Sequence, residues 1–195
     1  RLQSVRLLTE LIGPFATEPY AVVVQHPCGR KPATEAAVMR NIIQAVERNR
    51  LHGVAIWPNS DPGHDGIIRE LKAIQNRPGW RIFRSLVRED YLRLVHRSAV
   101  LVGNSSSGII ESASLGVSAV NVGTRQVGRL RCGSNVLDVA ESAPAIERAI
   151  KAALRSPRPE PIGSVYGDGR AGERIARVLE KLRISPALLR KELTF

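Results

Sequence analysis

Short apolar or β-branched runs alternate with helical periodicity along nearly the whole chain, and this alternation restricts the fold more than any other feature. The runs occupy 20–25, 54–57, 80–83, 99–102, 117–122 and 136–139. Between them apolar residues recur at helical spacing, as at Val38, Ile42 and Val46 within 34–50. Further helices are predicted over 67–74, 89–96, 143–154 and 170–182, with another in the tail from Ser185. A helix over 1–11 precedes the first strand and is ended by Gly13-Pro14. Strands and helices in strict alternation predict βαβ units, hence a parallel sheet covered by helices on both faces. Its crossovers are right-handed, and its ligands bind beyond the carboxyl ends of the strands. The segments so placed are His26, 58–63, the loop after Phe83, 104–108 and 123–129, and they are expected to line one crevice.

The best defined of these segments is Gly103-Asn104-Ser105-Ser106-Ser107-Gly108-Ile109-Ile110-Glu111. It reads as a strand end, a tight turn and a helix start, with Ser105 or Ser106 as the cap. Unsatisfied N–H groups, partial positive charge and serine hydroxyls together suit a phosphate or diphosphate. The pattern alone equally fits a plain serine N-cap. Gly103 and Gly108 have the spacing of a Walker A loop, but Ile109 and Ile110 stand where Lys and Ser or Thr are required. Neither Ser105 nor Ser106 has the flanking glycines of a nucleophile elbow. The motif thereby argues against a P-loop ATPase and against a serine hydrolase. Glu111 lies about two helical turns from the cap, where a carboxylate either accepts from a ribose diol or is a surface charge.

The net charge is +11. Aromatic residues are only 4% of the chain, and no basic stripe alternates with them. The arginines of 170–183 are interleaved with Glu173 and Glu180, as on a solvated helix face. Nucleic acid is therefore disfavoured as a partner, and the basic surface suits a small anion. Cys28 and Cys132 match no metal or redox spacing and read as reduced thiols of a cytoplasmic protein. His26, His52, His64 and His96 are scattered, so no metal is expected. No apolar run is long enough to span a bilayer, and no signal-peptide pattern opens the sequence.

Five motifs come in an order that resembles the UDP-N-acetylglucosamine 2-epimerase family. They are Gln25-His26-Pro27, Pro58-Asn59-Ser60-Asp61-Pro62-Gly63, the Gly103–Gly108 turn with Glu111, Gly123-Thr124-Arg125-Gln126-Val127-Gly128-Arg129, and Tyr166-Gly167-Asp168-Gly169. The wording of the third and fourth is similar to the hydrolysing branch, which makes N-acetylmannosamine and UDP for sialic acid pathways. The resemblance runs from about 20 to 182.

The resemblance implies one half of a glycosyltransferase-B architecture, the C-terminal, nucleotide-binding Rossmann-like domain. The chain then reads as a single domain over 1–195, with linker and helix at 1–19, core at 20–165 and C-terminal helices at 166–195. The family's N-terminal catalytic half, with its carboxylates, has no counterpart in the sequence and would be the partner of the last helices. The resemblance puts Ser105 and Ser106 on diphosphate-binding positions, Glu111 on the ribose carboxylate and the backbone at Leu86 against uracil. It makes His26 an active-site histidine suited to proton transfer, and Arg125 a cleft-facing arginine. Asn59, Asp61 and Gly108 complete the substrate-binding candidates. The implied substrate is a UDP-sugar, with no cofactor. The loop from Pro27 to Thr34 is longer than the family's usual link, a departure that bears on His26. A sugar transferase of the same architecture and a non-catalytic nucleotide-binding module are the other readings. A homo-oligomer is compatible with the sequence, which sets no oligomeric state.

Overall fold

A computed structural model describes residues 5–190. The chain divides between Val165 and Tyr166 into two compact units.

The first unit is built on six parallel strands: β1 (Tyr20–Val24), β2 (His52–Ile56), β3 (Trp80–Phe83), β4 (Val100–Gly103), β5 (Ala119–Val122) and β6 (Val136–Val139). Their order is β3-β2-β1-β4-β5-β6, that of a Rossmann fold. Helices α1 (Val5–Ile12), α2 (Pro32–Arg48), α3 (His64–Ala73), α4 (Arg88–Arg97), α5 (Glu111–Ser114) and α6 (Ala143–Arg155) connect or precede them.

Alternation of side chains along each strand divides the core into two layers. Ala21, Val23, Ala55, Val102 and Val122 pack under α2, α3 and α6, against Ile42, Val46, Ile67, Leu71, Ile146 and Ile150. Tyr20, Val22, Val24, Val54 and Leu101 face the other way, against Ile12 of α1, Phe15, and Leu94 and Val95 of α4. All five residues of β1 are buried, as a central parallel strand covered on both faces requires. The Tyr20 hydroxyl donates to the Leu94 carbonyl at 2.8 Å, which satisfies its polar end within this layer.

The boundaries differ from the sequence reading in instructive places. Helix α2 begins at Pro32, not at Thr34, because a proline at the first helical position loses no hydrogen bond. Gly13-Pro14 does end α1, but the chain continues as a 3₁₀ turn over Gly13–Thr17. Strand β4 runs to Gly103, whose φ is +131°. A Cβ there would lie 2.2 Å from the Val24 carbonyl oxygen of the neighbouring strand. Glycine is thus required where β1 and β4 run closest to the cleft.

The helix expected after β4 is the main correction. A 3₁₀ turn over Ser106–Gly108 is followed by α5, which has only four residues. Ser105 is the cap, its Oγ accepting from the Ser107 N–H at 3.3 Å. Ser112 Oγ then bonds back to the Gly108 carbonyl at 2.7 Å, and Val117 N–H to the Ser112 carbonyl, so the short helix turns at once into the next strand.

The second unit contains α7 (Ala171–Lys181) and α8 (Pro186–Leu189). Ile175, Val178 and Leu179 form an exposed apolar stripe on α7. Asp168 pairs with Arg174 at 2.6 Å, and Ser185 caps α8 by accepting from the Leu188 N–H.

Candidate functional site

Strands β1 and β4 are neighbours whose onward connections leave to opposite sides, so the sheet opens between them at its carboxyl edge. A cleft of about 450 Å³ lies there. His26 follows β1; Trp57, Pro58 and Asn59 follow β2; Arg84, Ser85 and Leu86 follow β3; Ser105, Ser106 and Ser107 follow β4. Tyr91 of α4 and Glu111 of α5 close it. Four of the five segments expected in one crevice therefore line it.

The centre of the site is a backbone problem solved by one side chain. The β1–β4 ladder ends at the Val24–Gly103 pair. Beyond it Asn104, fully buried, accepts from the His26 N–H at 2.7 Å through Oδ1 and donates from Nδ2 to the His26 carbonyl at 2.9 Å. A carboxamide carries the same donor and acceptor as a peptide, so it extends the ladder by one step and fixes His26 at the cleft floor.

The fifth segment supports this arrangement from behind. Gln126, also buried, donates to the Asn104 carbonyl at 2.7 Å, and Arg125 Nη1 donates to the same oxygen at 3.3 Å. Arg125 is exposed and is not among the residues lining the cleft.

The ring of His26 is oriented from the other side. The Asn59 N–H donates to His26 Nδ1 at 3.1 Å. In the neutral ring Nδ1 is then the acceptor, and the proton sits on Nε2. Burial lowers the pKa of the ring below 6.5; the Arg125 charge lowers it further, and Asp61 opposes both. In the neutral form that this shift favours, His26 presents its Nε2–H as a hydrogen-bond donor.

The serine turn supplies the polar wall. Its own hydrogen bonds use the N–H groups of Ser107, Gly108, Ile109 and Ile110, which leaves those of Ser105 and Ser106 outside the turn's own bonding. The Tyr91 hydroxyl reaches Ser107 Oγ at 2.7 Å. On the opposite wall the Arg84 guanidinium lies 4.7 Å from the centre of the Trp57 ring, a cation–π contact. The arrangement can hold an anion against hydroxyls and amides, with a carboxylate and a planar wall beside it.

The remaining candidates are placed as follows. Leu86 and Asn59 line the cleft. Asp61 does not; it is exposed and accepts from Asn59 Nδ2 at 2.6 Å, holding the loop that aims Asn59 at His26. Gly108 is buried beneath the turn, against Leu101 and Ala119. The long loop after His26 is tied down by an ion network. Arg30 pairs with Glu35 at 3.0 Å and with Glu141 at 2.7 Å, and Glu35 also accepts from the Cys28 N–H. Burial pushes the Glu35 carboxyl up, but the Arg30 guanidinium and the Cys28 N–H outweigh it and hold the group below its ordinary value. Among the described residues no group of His, Cys, Asp and Glu side chains could hold a metal ion, and no helix is long and apolar enough to cross a membrane.

Sequence reasoning placed 104–108 and 123–129 at the crevice but gave Asn104, Ser107 and Gln126 no role, and it missed Tyr91. Asn104 stood within the motif, and an amide immediately after a buried strand was a usable signal. Tyr91 looked like any aromatic on a helix.

The comparisons with known proteins fall on this region. The family model for UDP-N-acetylglucosamine 2-epimerase matches residues 2–180. The UDP-N,N'-diacetylbacillosamine 2-epimerase (hydrolyzing) of Legionella pneumophila is 33% identical over 170 residues, which cover 87% of this chain and 45% of that protein. The polysialic acid biosynthesis protein P7 of Escherichia coli is 38% identical over 133 residues, covering 67% of this chain and 34% of that one. The chain thus spans less than half the length of these relatives. Among solved structures, the UDP-GlcNAc 2-epimerase of Methanocaldococcus jannaschii in complex with UDP-GlcNAc and UDP superposes with a TM-score of 0.68 at 14% identity, over 90% of this chain and 48% of that one. This likeness gives the fold: a Rossmann-like unit, half of a glycosyltransferase-B-type architecture.

Proposed function

Because the chain belongs to the UDP-N-acetylglucosamine 2-epimerase family, we propose that its cleft holds the UDP part of a UDP-sugar and that the whole protein is a hydrolysing 2-epimerase. The observation that carries this reading is the meeting of His26, the Ser105–Ser107 turn and Glu111 around one cleft at the β1–β4 switch point. Ser105 and Ser106 hold the diphosphate, Glu111 accepts from the ribose hydroxyls, and the backbone at Leu86 faces the base. The substrate is UDP-N-acetylglucosamine or a close N-acyl relative, handled in the cytoplasm, and the product is of the kind used for sialic-acid-type sugars. The names of the matched relatives support this branch.

The reaction follows from the parts. A base takes the C2 proton, the C1–O bond to the β-phosphate breaks with its electron pair leaving on UDP, and a C1=C2 glycal results. Water then adds, hydroxyl to C1 and a proton to the opposite face of C2, giving the epimerised free sugar. Negative charge grows on the β-phosphate as UDP leaves, so preset donors beside it lower the barrier. The serine turn and the Nε2–H of His26 are such donors, and Arg125 adds positive charge behind them. Few carboxylates belong to the cleft side of this chain, and Glu111 is occupied by the ribose, so the C2 base comes from the facing half of the protein. Removal of a weakly acidic proton needs a placed base and a site closed to water.

The test is calorimetry with UDP beside an assay for released N-acetylmannosamine. The 195-residue chain binds UDP and releases no sugar. Release at an ordinary enzymatic rate by this chain overturns the placement of the base, and failure to bind UDP overturns the nucleotide reading.

A further inference from the structure

The three serines of the turn are not equivalent. Ser105 uses its oxygen to cap the turn, accepting from the Ser107 N–H. Ser107 is buried, yet its side chain borders the cleft and meets the Tyr91 hydroxyl at 2.7 Å. The two come from different elements, Tyr91 from α4 and Ser107 from the turn after β4. Of two hydroxyls in contact, the more acidic phenol is the better donor and the aliphatic oxygen the better acceptor. Burial holds the Tyr91 phenol up at about 12; the contact with Ser107 pulls it down and the Glu111 charge pushes it up. It therefore keeps its proton at neutral pH. A serine hydroxyl has one proton and two lone pairs. With the Tyr91 hydroxyl donating to its oxygen, Ser107 keeps its own O–H for another acceptor, and the residue borders the cleft.

We propose that Tyr91 is a positioning residue that presets the Ser107 O–H as a donor to an anionic phosphoryl oxygen in the cleft. This rests on the diphosphate reading above and adds to it a third serine and the residue that aims it. A free serine rotor samples three wells and hydrogen-bonds to water; Tyr91 removes that freedom before the ligand arrives, so less is lost on binding.

The test uses the full chain with three probes: UDP, inorganic diphosphate and uridine. Ser107→Ala weakens UDP and diphosphate by about tenfold, the effect of a lost hydrogen bond to a charged group. Tyr91→Phe weakens both by roughly threefold to tenfold, as a lost orienting contact should. Uridine, which lacks the phosphates, is unchanged in both. In the Ser107→Ala background, Tyr91→Phe has no further effect, because the Tyr91 hydroxyl has lost the oxygen it donates to and the ring that borders the cleft is kept. Additive losses, equal losses for uridine, or no loss in Tyr91→Phe overturn the proposal while UDP still binds the parent chain. A parent chain that binds neither UDP nor diphosphate overturns the nucleotide reading and this proposal with it. Should Tyr91→Phe unfold, Ser107→Ala measured against diphosphate and uridine carries the test, and equal effects on the two overturn the proposal.

Discussion

Asn104 and His26 form a closed pair: the side-chain amide of one accepts from the backbone N–H of the other at 2.7 Å and donates to its carbonyl at 2.9 Å. The pair joins the ends of β1 and β4 where the sheet opens, so the position of His26 depends on Asn104 as much as on its own strand. Asn104→Ala leaves a peptide N–H and C=O of His26 without partners next to the core. The expected loss of stability is about 2–4 kcal/mol, read from denaturant melts. Asn104→Asp is no rescue, because a carboxylate oxygen would then face the His26 carbonyl. A loss under about 0.5 kcal/mol for Asn104→Ala, the range of an ordinary surface substitution, contradicts the clamp.

The ring of His26 titrates below 6.5, chiefly because it is buried. The Arg125 charge contributes and Asp61 opposes. In ring-proton spectra Arg125→Ala should raise the midpoint and Asp61→Asn should lower it. The sign for stability follows from the folded ring binding protons less readily than the unfolded one. The contribution is whole above the unfolded value of 6.5 and is lost as pH falls through 6.5 toward the lower folded midpoint. A midpoint above 6.5 in the folded chain, or opposite shifts in the two variants, contradicts the assignment.

Gly103 sits on β4 at φ +131°, with the Val24 carbonyl oxygen 2.2 Å from where a Cβ would stand. Gly103→Ala combines backbone strain with a clash against backbone that has nowhere to move. A cost of about 3–5 kcal/mol is expected, with loss of the cleft because the ladder to β1 must part. Thermal melts of the variant check this; a melting temperature within two or three degrees of the parent, a shift worth about 1 kcal/mol or less, speaks against the tight β1–β4 approach.

Much of the fold was legible because burial on both faces leaves unbroken apolar runs, and 80–83 and 136–139 were read to the residue. What escaped was tertiary. Periodicity after β4 could not show that Ser112 would bond back to Gly108 and cut α5 to four residues. The loops of the cleft could be named from their places after strands, yet the support of Asn104 by Gln126 spans 22 residues of sequence, and the Tyr91–Ser107 contact joins a helix to a turn by one oxygen each. Such pairings leave no periodic trace. The expected roles of His26 and Arg125 came from the resemblance to a family, and Arg125, expected to face the cleft, is exposed and outside its lining.

Glu111 borders the cleft beside Tyr91 and the serine turn. If it accepts from a ribose, Glu111→Ala weakens UDP by roughly tenfold to hundredfold, the range for a hydrogen bond to a charged group. Inorganic diphosphate, which has no ribose, should bind the variant as it binds the parent or slightly better, since a negative charge is gone. Equal losses for the two ligands in calorimetry would assign Glu111 to the turn's stability instead.

The central claim is that the β1–β4 cleft is a nucleoside diphosphate site with its phosphates on the serine turn. Amide ¹H–¹⁵N spectra of the chain titrated with UDP test it most directly. Saturable shifts should centre on Ser105, Ser106 and Ser107, extend to His26, Leu86 and Glu111, and be reproduced at the serines alone by inorganic diphosphate. Shifts that fail to saturate, or that saturate on the arginine-rich face of α7 while the serine turn stays still, would contradict it.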